Sequence, residues 1–339
     1  MREALRLRME IVRHFKDPHP KRLIISDHVQ LLFRLFATKE HDRIFSLTGL
    51  FPGVFDSLPI SYTQPLPELY TDSTRIVIQK EHSLRILEYS WRSPIPNMPS
   101  WALNWDQRVH HLDPSILLHG DHPDVDFINP NREVPQDHRP MFRFSPDGKR
   151  VFIQGIILDT LVDDGLILTS ETSPNLKTML VPLFAKMSTY IWSKSRTCGE
   201  LAMKTNFHAL LDLFPLTARL PTVKKVQIST AIQTGIGHAV VSTLTTTSES
   251  DYTHYIYMCK SLQHRALFIT NNGYMACPWL DIAARAGDKI VTFPGEYTPF
   301  IIRPAGKAYK LVGPALVTGA MKGEYWSKTP SNKQEIEIV

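Results

Sequence analysis

The sequence from His264 to Trp326 reads HRALFITNNGYMACPWLDIAARAGDKIVTFPGEYTPFIIRPAGKAYKLVGPALVTGAMKGEYW. Runs of β-branched and aromatic residues alternate here with Gly, Asn and Pro; the runs are 266–270, 289–293, 300–303 and 308–312. This alternation is typical of short antiparallel strands joined by tight turns. It predicts a β meander or a small barrel of about four to six strands. Five of its apolar side chains are expected to face inward: Phe268, Ile290, Val291, Ile301 and Leu311.

Four motifs follow one another through this stretch. They comprise Phe268, Thr270 and Gly273; Arg285, Gly287 and Asp288; Pro299, Phe300 and Arg303; and Leu311, Val312, Gly313, Gly319, Met321, Gly323 and Glu324. In order and spacing the stretch resembles the C-terminal region of the fungal heterokaryon-incompatibility (HET) family. Two segments depart from the pattern: Met275–Pro278 stands where the family often has Gly-Leu-Gly-Pro, and Leu316–Gly319 where it often has Tyr-x-His-Gly.

The first half carries three further points of resemblance to the same family. Ala37–Leu50 resembles a helix that follows the HET domain, and includes Asp42, Arg43 and Gly49. Pro99–Trp105 resembles a Pro-Ser-Trp-x-Pro-Asp-Trp segment, with Leu103 and Asn104 replacing the second Pro and the Asp. Ile153–Asp159 resembles a family strand that includes Gly155 and Asp159. We interpret these motif residues as structural, with Asp42 and Arg43 anchoring the helix through a salt bridge.

Composition describes a folded domain with a sizeable core. The chain has 339 residues, 43% of them hydrophobic, and a net charge of +5 that is spread along its length. Dispersed, mild positive charge argues against nucleic-acid binding. The three cysteines have no metal-binding spacing, and no apolar run is long enough to span a membrane. We expect a cytoplasmic protein, or a nuclear one.

The predicted fold class is α+β, with helical N-terminal and central regions and the C-terminal β unit. We divide the chain into five parts. They are a helical region at 1–107, an irregular polar loop at 108–147, a mixed α/β region at 148–262, the antiparallel β subdomain at 263–328 and a flexible tail at 329–339.

Candidate ligand contacts lie between residues 89 and 122. The residues that could line a pocket there are Trp101, Trp105, His110, His111 and His122. For Trp101 and Trp105 we favour packing as core anchors over stacking on a ligand. The histidines belong to a segment rich in His and Asp, whose side chains can bind zinc or iron. Their spacing fits no metal-binding frame, so we expect no metal and no cofactor.

The functional prediction depends on which regions of HET-family proteins this sequence resembles. Longer HET proteins carry an N-terminal HET domain with a Trp-Ile-Asp-x-x-Cys-Ile-x-Gln motif, which is associated with cell death; this sequence lacks the motif. It also has no P-loop, dinucleotide fingerprint or nucleophile elbow. The resemblance therefore implies a non-catalytic binding or regulatory component of incompatibility-type recognition. Its partner would be a full-length HET protein, another protein or a small-molecule ligand.

An enzyme is the alternative interpretation. A stand-alone HET-like protein could act as an isomerase or cyclase, or as an accessory protein, in fungal secondary metabolism. Such chemistry needs only a shaped apolar pocket with a few polar groups.

Overall fold

The computed structural model describes residues 24–33, 37–91, 95–106, 140–168, 186–187, 189–190, 193–194, 265–279, 281–296, 298–320 and 332–339. Within these ranges three α-helices lie in the N-terminal part: α1 Ile25–Phe33, α2 Asp42–Leu50 and α3 Leu66–Glu81. A 3₁₀ turn follows at Arg85–Tyr89. Helix α3 has Pro67 in its first turn, where a missing N–H costs nothing. The described part of the predicted helical region at 1–107 therefore contains three helices, while residues 1–23 lie outside the described residues.

The predicted helical central region is not confirmed, because most of 175–215 lies outside the described residues. The six residues described there, 186–187, 189–190 and 193–194, are helical. None of the helices in the described ranges is long and apolar enough to cross a membrane.

Nine strands of the described chain form one sheet. They are β1 Phe142–Phe144, β2 Val151–Thr160, β3 Leu166–Leu168, β4 Arg265–Ile269, β5 Met275–Pro278, β6 Lys289–Thr292, β7 Phe300–Ala305, β8 Ala308–Val317 and β9 Gln334–Ile338. Their order is β1-β2-β6-β7-β8-β5-β4-β3, and β9 pairs with both β2 and β8. The pairings are antiparallel except for a parallel pair between Tyr309 and Ile338. The antiparallel C-terminal β region is thus confirmed, although β8 beside β5 departs from a simple meander.

The sheet closes into a small barrel where β2 ends. Leu161 forms an antiparallel bridge with Thr270. The Val162 N–H donates to the Ile269 carbonyl at 3.0 Å, and the Asn271 N–H to the Thr160 carbonyl at 3.0 Å. The other edge of β2 pairs with β6. A ring of six strands, β2-β6-β7-β8-β5-β4, is therefore complete, which leaves these strands no open edge at the closure.

The barrel interior is filled by a small apolar cluster. Its buried members are Leu161, Ala266, Phe268, Ala276, Ile290, Ile301, Ala315, Val317 and Ala320. Three of the five side chains predicted to face inward, those of Phe268, Ile290 and Ile301, lie here. Val291 and Leu311 are buried in the other core instead. Neighbouring residues of a strand point to opposite faces, so Ile290 and Val291 cannot both face the interior.

A second, larger core lies between the helices and the outer face of the barrel. Helices α1, α2 and α3 contribute side chains that include Val29, Ile44 and Tyr70. Strands β2, β6, β7, β8 and β9 contribute side chains from the opposite side, among them Ile153, Phe300 and Ile338. All six of these side chains are fully buried. Because one core joins helices and strands, the two parts are expected to fold together.

The C-terminal residues correct one prediction. In place of a flexible tail at 329–339, Gln334–Ile338 form strand β9, which pairs with Val151–Gly155 of β2. Ile336 and Ile338 are buried in the larger core, while Glu335 and Glu337 pair with Arg143 and Arg150 on the outside. Ile and Glu alternate in this segment, which is a pattern typical of a strand. Because the segment is short and charged, the sequence alone favours a flexible tail. The sheet also takes in β1 to β3, so it extends beyond the predicted unit at 263–328.

Candidate functional site

One exposed patch on the described surface has the character of an interaction site. We call it the Tyr62 surface; it consists of Lys39, His41, Phe45, Ile60 and Tyr62. Ile60 is 65% exposed and Tyr62 is 51% exposed, both high values for large apolar side chains. The two residues lie two positions apart in the loop that joins α2 to α3. Both present apolar area to solvent, and Tyr62 lies against helix α2.

The Tyr62 ring is held in place by its neighbours. Its hydroxyl donates to Asp42 Oδ1 at 2.5 Å, and this bond raises the pKa of the Tyr62 hydroxyl. The ring meets Phe45 edge-on at a centroid distance of 5.2 Å and lies 5.6 Å from the His41 ring. Lys39 Nζ lies 4.9 Å from its centroid, within cation–π range. Since these contacts fix the ring before binding, little side-chain entropy remains to be lost in a complex.

Helix α2 places its two charged motif residues on different sides. Asp42 binds the Tyr62 hydroxyl, whereas Arg43 is buried and forms a salt bridge with Asp106 at 3.0 Å. Arg43 therefore forms an anchoring salt bridge as expected, but the expected role of Asp42 in it is wrong, because the acid is Asp106. That contact ties α2 to the segment that contains Trp101 and Trp105.

The motif residues of the C-terminal half meet around the barrel closure. Arg303 donates from Nε and Nη2 to the two oxygens of Asp288 at 2.8 and 2.9 Å, and Asp288 is buried. Asp288 also accepts the Arg285 N–H at 2.9 Å. Its backbone carbonyl accepts the Leu161 N–H at 2.8 Å, and the Gly287 N–H donates to the Leu161 carbonyl at 2.9 Å. Two neighbouring motifs thus hold the end of β2, which lies far from them in sequence.

Asp159 performs a similar task on the other side of the closure. Its Oδ1 accepts the Thr160 N–H at 2.8 Å, and its Oδ2 accepts the Asn272 N–H at 2.9 Å. Asn272 belongs to the turn between Thr270 and Gly273, whose Thr270 hydroxyl accepts the Tyr274 N–H at 3.0 Å. The Asp159 carboxylate therefore links β2 to the turn that follows β4.

Comparison with known proteins identifies this barrel. The family model described as the Het-6 beta-barrel domain matches residues 187–335. Over residues 187–335 the chain is similar to this domain, a C-terminal region of HET-family proteins. No curated protein and no solved structure matches the chain in the two other comparisons.

The Het-6 barrel match contains β4 to β8 and the beginning of β9. Strand β2, which closes the ring, lies before residue 187 and outside the matched range. The closure therefore joins the Het-6 domain to the preceding part of the chain through Asp159 and Leu161. This finding agrees with the resemblance to the C-terminal region of HET proteins.

The candidate pocket residues are divided by the structure. Trp101 and Trp105 lie in the larger core, and each indole N–H has an acceptor: the Lys149 carbonyl at 3.2 Å for Trp101 and the Thr74 hydroxyl at 3.3 Å for Trp105. Both therefore act as core anchors. His110, His111 and His122 lie outside the described residues. Within the described ranges no group of three or more His, Cys, Asp or Glu could hold a metal ion, and metal-free protein stays a prediction.

The glycines of the motifs differ in what they do. A Cβ on Gly155 would lie 2.9 Å from Phe293 Cδ1, and one on Gly313 would lie 2.6 Å from Ile282 Cδ1. A Cβ on Gly49 would meet nothing within 4 Å. Gly273, Gly287 and Gly319 have positive φ in turns, and Gly323 lies outside the described residues.

Sequence reasoning missed both exposed residues of the Tyr62 surface. A signal was present, since Ile60 and Tyr62 are large apolar residues in a loop between Pro59 and Pro65. It also missed Glu296, a buried carboxyl in the β6–β7 loop that accepts the Leu84 N–H at 2.6 Å. Burial and the nearby Glu88 raise the pKa of Glu296 to about 8. Nothing in its local sequence marks Glu296 as buried.

Proposed function

We propose that this HET-like protein is a non-catalytic binding component of incompatibility-type recognition in the fungal cytoplasm. Its partner is another protein, and a full-length HET-family protein is the partner that the Het-6 barrel domain favours. The Tyr62 surface carries the proposal, because an exposed and preorganised aromatic side chain is the usual centre of a protein interface.

The chemistry of the Tyr62 surface suits a protein partner. Tyr62 and Ile60 offer apolar area that a partner could cover, while Lys39 and Asp42 frame it with charge. Protein interfaces commonly combine an aromatic centre with a polar rim in this way. Trp101 and Trp105, which the enzyme interpretation would use to line a pocket, are instead committed to the core.

Co-expression with a full-length HET-family protein in a fungal host tests the proposal. We expect the wild-type chain to associate with the partner and to reduce its cell-death response. Tyr62→Ala should weaken the association by about tenfold or more, the loss typical of an interface hot spot. Ile167→Ala is the matched control, since Ile167 is 54% exposed but lies on β3, which pairs with β4 and contributes no residue to the Tyr62 surface.

Three outcomes would contradict the proposal. They are association that Tyr62→Ala leaves unchanged, equal weakening by Ile167→Ala, and cell death caused by this chain alone. Turnover of a small-molecule precursor by purified protein would favour the isomerase or cyclase alternative instead.

A further inference from the structure

Arg265 is a buried cation on the outer side of the barrel. It begins β4 and is 1% exposed. Its Nη1 donates to the Cys277 carbonyl at 2.6 Å, and its guanidinium carbon lies 4.0 Å from the centroid of the Trp279 ring. One nitrogen and one face of the guanidinium are therefore fixed by β5 and the residue that follows it.

The remaining edge of the guanidinium meets no acceptor in the part of the chain that the structure describes. Neither Nε nor Nη2 of Arg265 has a hydrogen-bond partner among the described residues. In Arg303 the same two atoms hold both oxygens of Asp288, at 2.8 and 2.9 Å. These atoms form the planar fork that matches a carboxylate or phosphate group. The Nε and Nη2 edge of Arg265 is thus free among the described residues, whereas the same edge of Arg303 binds the Asp288 carboxylate.

The charge on Arg265 needs a counter-ion. Burial lowers the pKa of its guanidinium to about 10, so it stays protonated at neutral pH. The adjacent Cys277 thiol does not supply negative charge, because burial raises its pKa to about 12. An unpaired buried charge is strongly unfavourable, whereas a bidentate anion would satisfy both the charge and the two donors.

We propose that Arg265 forms an anion site that takes up a small free oxyanion, a carboxylate or a phosphate, through Nε and Nη2. The Trp279 ring covers one face of the guanidinium and the Cys277 carbonyl fixes its orientation. Exclusion of water strengthens the ion pair and makes exchange slow, because the site must open locally to admit the anion.

Thermal unfolding of the full chain in different salts tests the site. Protein is dialysed overnight into phosphate, acetate or chloride at one ionic strength. We expect phosphate or acetate to raise the unfolding midpoint saturably, by roughly 5 °C at a concentration about 100-fold above Kd. Chloride is the reference, because a single-atom anion cannot make the two parallel N–H···O bonds that an oxyanion makes with the fork. A larger response to phosphate than to acetate, or the reverse, assigns the oxyanion.

Two variants separate specific binding from general salt effects. Arg265→Lys keeps the charge but lacks the fork. We expect this variant to need at least a tenfold higher anion concentration for the same rise in unfolding midpoint. Arg303→Lys is the matched control and should keep the wild-type response, because the Arg303 fork is already filled by Asp288.

Equilibrium dialysis with labelled phosphate and with labelled acetate gives a second measurement on wild-type protein. One anion bound per chain, lost in Arg265→Lys, is the expected result. No anion response beyond that of chloride, or an equal response in Arg265→Lys, would overturn the proposal.

Discussion

Individual residues in this protein are constrained by their neighbours rather than by their motif. Gly155 and Gly49 both belong to segments that resemble the HET family, yet their surroundings differ. Gly155 lies against Phe293 and Ile336 in the larger core, and Gly49 lies in open space on α2. The same substitution should therefore have opposite consequences at the two positions.

Gly155→Ala is expected to destabilise the fold by about 1–3 kcal/mol, the range for overpacking a core. The added Cβ would lie 2.9 Å from Phe293 Cδ1 and 3.0 Å from Ile336 Cδ1. Gly49→Ala is the control and should stabilise by up to about 1 kcal/mol, since Ala favours helix. Urea unfolding of both variants gives the comparison. Equal effects at the two sites would contradict the packing described for β2.

Glu296→Gln should remove a pH dependence of stability. The pKa of Glu296 is raised from 4.5 to about 8, so the stability contributed by its neutral form is fully present below pH 4.5 and is lost progressively as pH rises from there through 8. Gln keeps an oxygen for the Leu84 N–H but cannot ionise. At pH 9 the variant should therefore exceed wild type in unfolding free energy by on the order of a few kcal/mol.

Urea midpoints at pH 5, 7 and 9 measure this difference. Glu335→Gln is the control, because the pKa of the exposed Glu335 is lowered by its hydrogen bond to Arg143. Glu335→Gln should therefore lose as much stability between pH 5 and pH 9 as the wild-type protein does. Identical pH profiles for wild type and Glu296→Gln would count against a buried, neutral Glu296.

Among the elements, the short strand β9 has one face in the larger core and one face in solvent. It fills the space beside the first half of β2, and its inward side chains complete the larger core. Its outward glutamates pair with arginines that are more than half exposed. The two sides of one short strand should therefore differ sharply in their effect on stability.

Ile336→Ala should cost about 2–5 kcal/mol, the usual range for truncating a buried Ile, because Ile336 is 1% exposed. Glu337→Ala should cost no more than about 1 kcal/mol, as expected for a surface ion pair. Chemical denaturation measures both changes. If Glu337→Ala were the more damaging substitution, the register of β9 would be wrong.

In the complete fold, helices and barrel share the larger core. Phe300 and Ile302 of β7 point into it, and Ile301 between them points into the barrel. Damage to the barrel interior should therefore also release the helices.

Ile301→Asp is expected to unfold both parts together, since an unpaired buried charge costs several kcal/mol. Ile60→Asp is the matched control; Ile60 is 65% exposed and its change should stay within about 0.5 kcal/mol. Far-UV circular dichroism follows the whole fold, and tryptophan fluorescence follows all six tryptophans together, among them Trp101 and Trp105 beside the helices and Trp279 after β5. Soluble, cooperatively folding Ile301→Asp protein would contradict the barrel assignment.

Features that depend on local pattern could be predicted from the amino-acid sequence. Alternating apolar runs and turn residues predicted the strands of the C-terminal half, and the motif order predicted the HET relationship that the Het-6 match confirms. The period of a strand and the residues of a tight turn are both visible in residues that are close together in sequence. These features can therefore be predicted without the tertiary structure.

The closure of the strands and the residues that meet there emerged only from the three-dimensional packing. The Leu161–Thr270 bridge, the hydrogen bond from the Leu161 N–H to the Asp288 carbonyl and the pairing of β9 with β2 join segments that are distant in sequence. The exposure of Tyr62 and the burial of Arg265 depend on the same long-range packing. The local sequence pattern does not predict such contacts, because the burial of a side chain depends on which distant residues the fold packs around it.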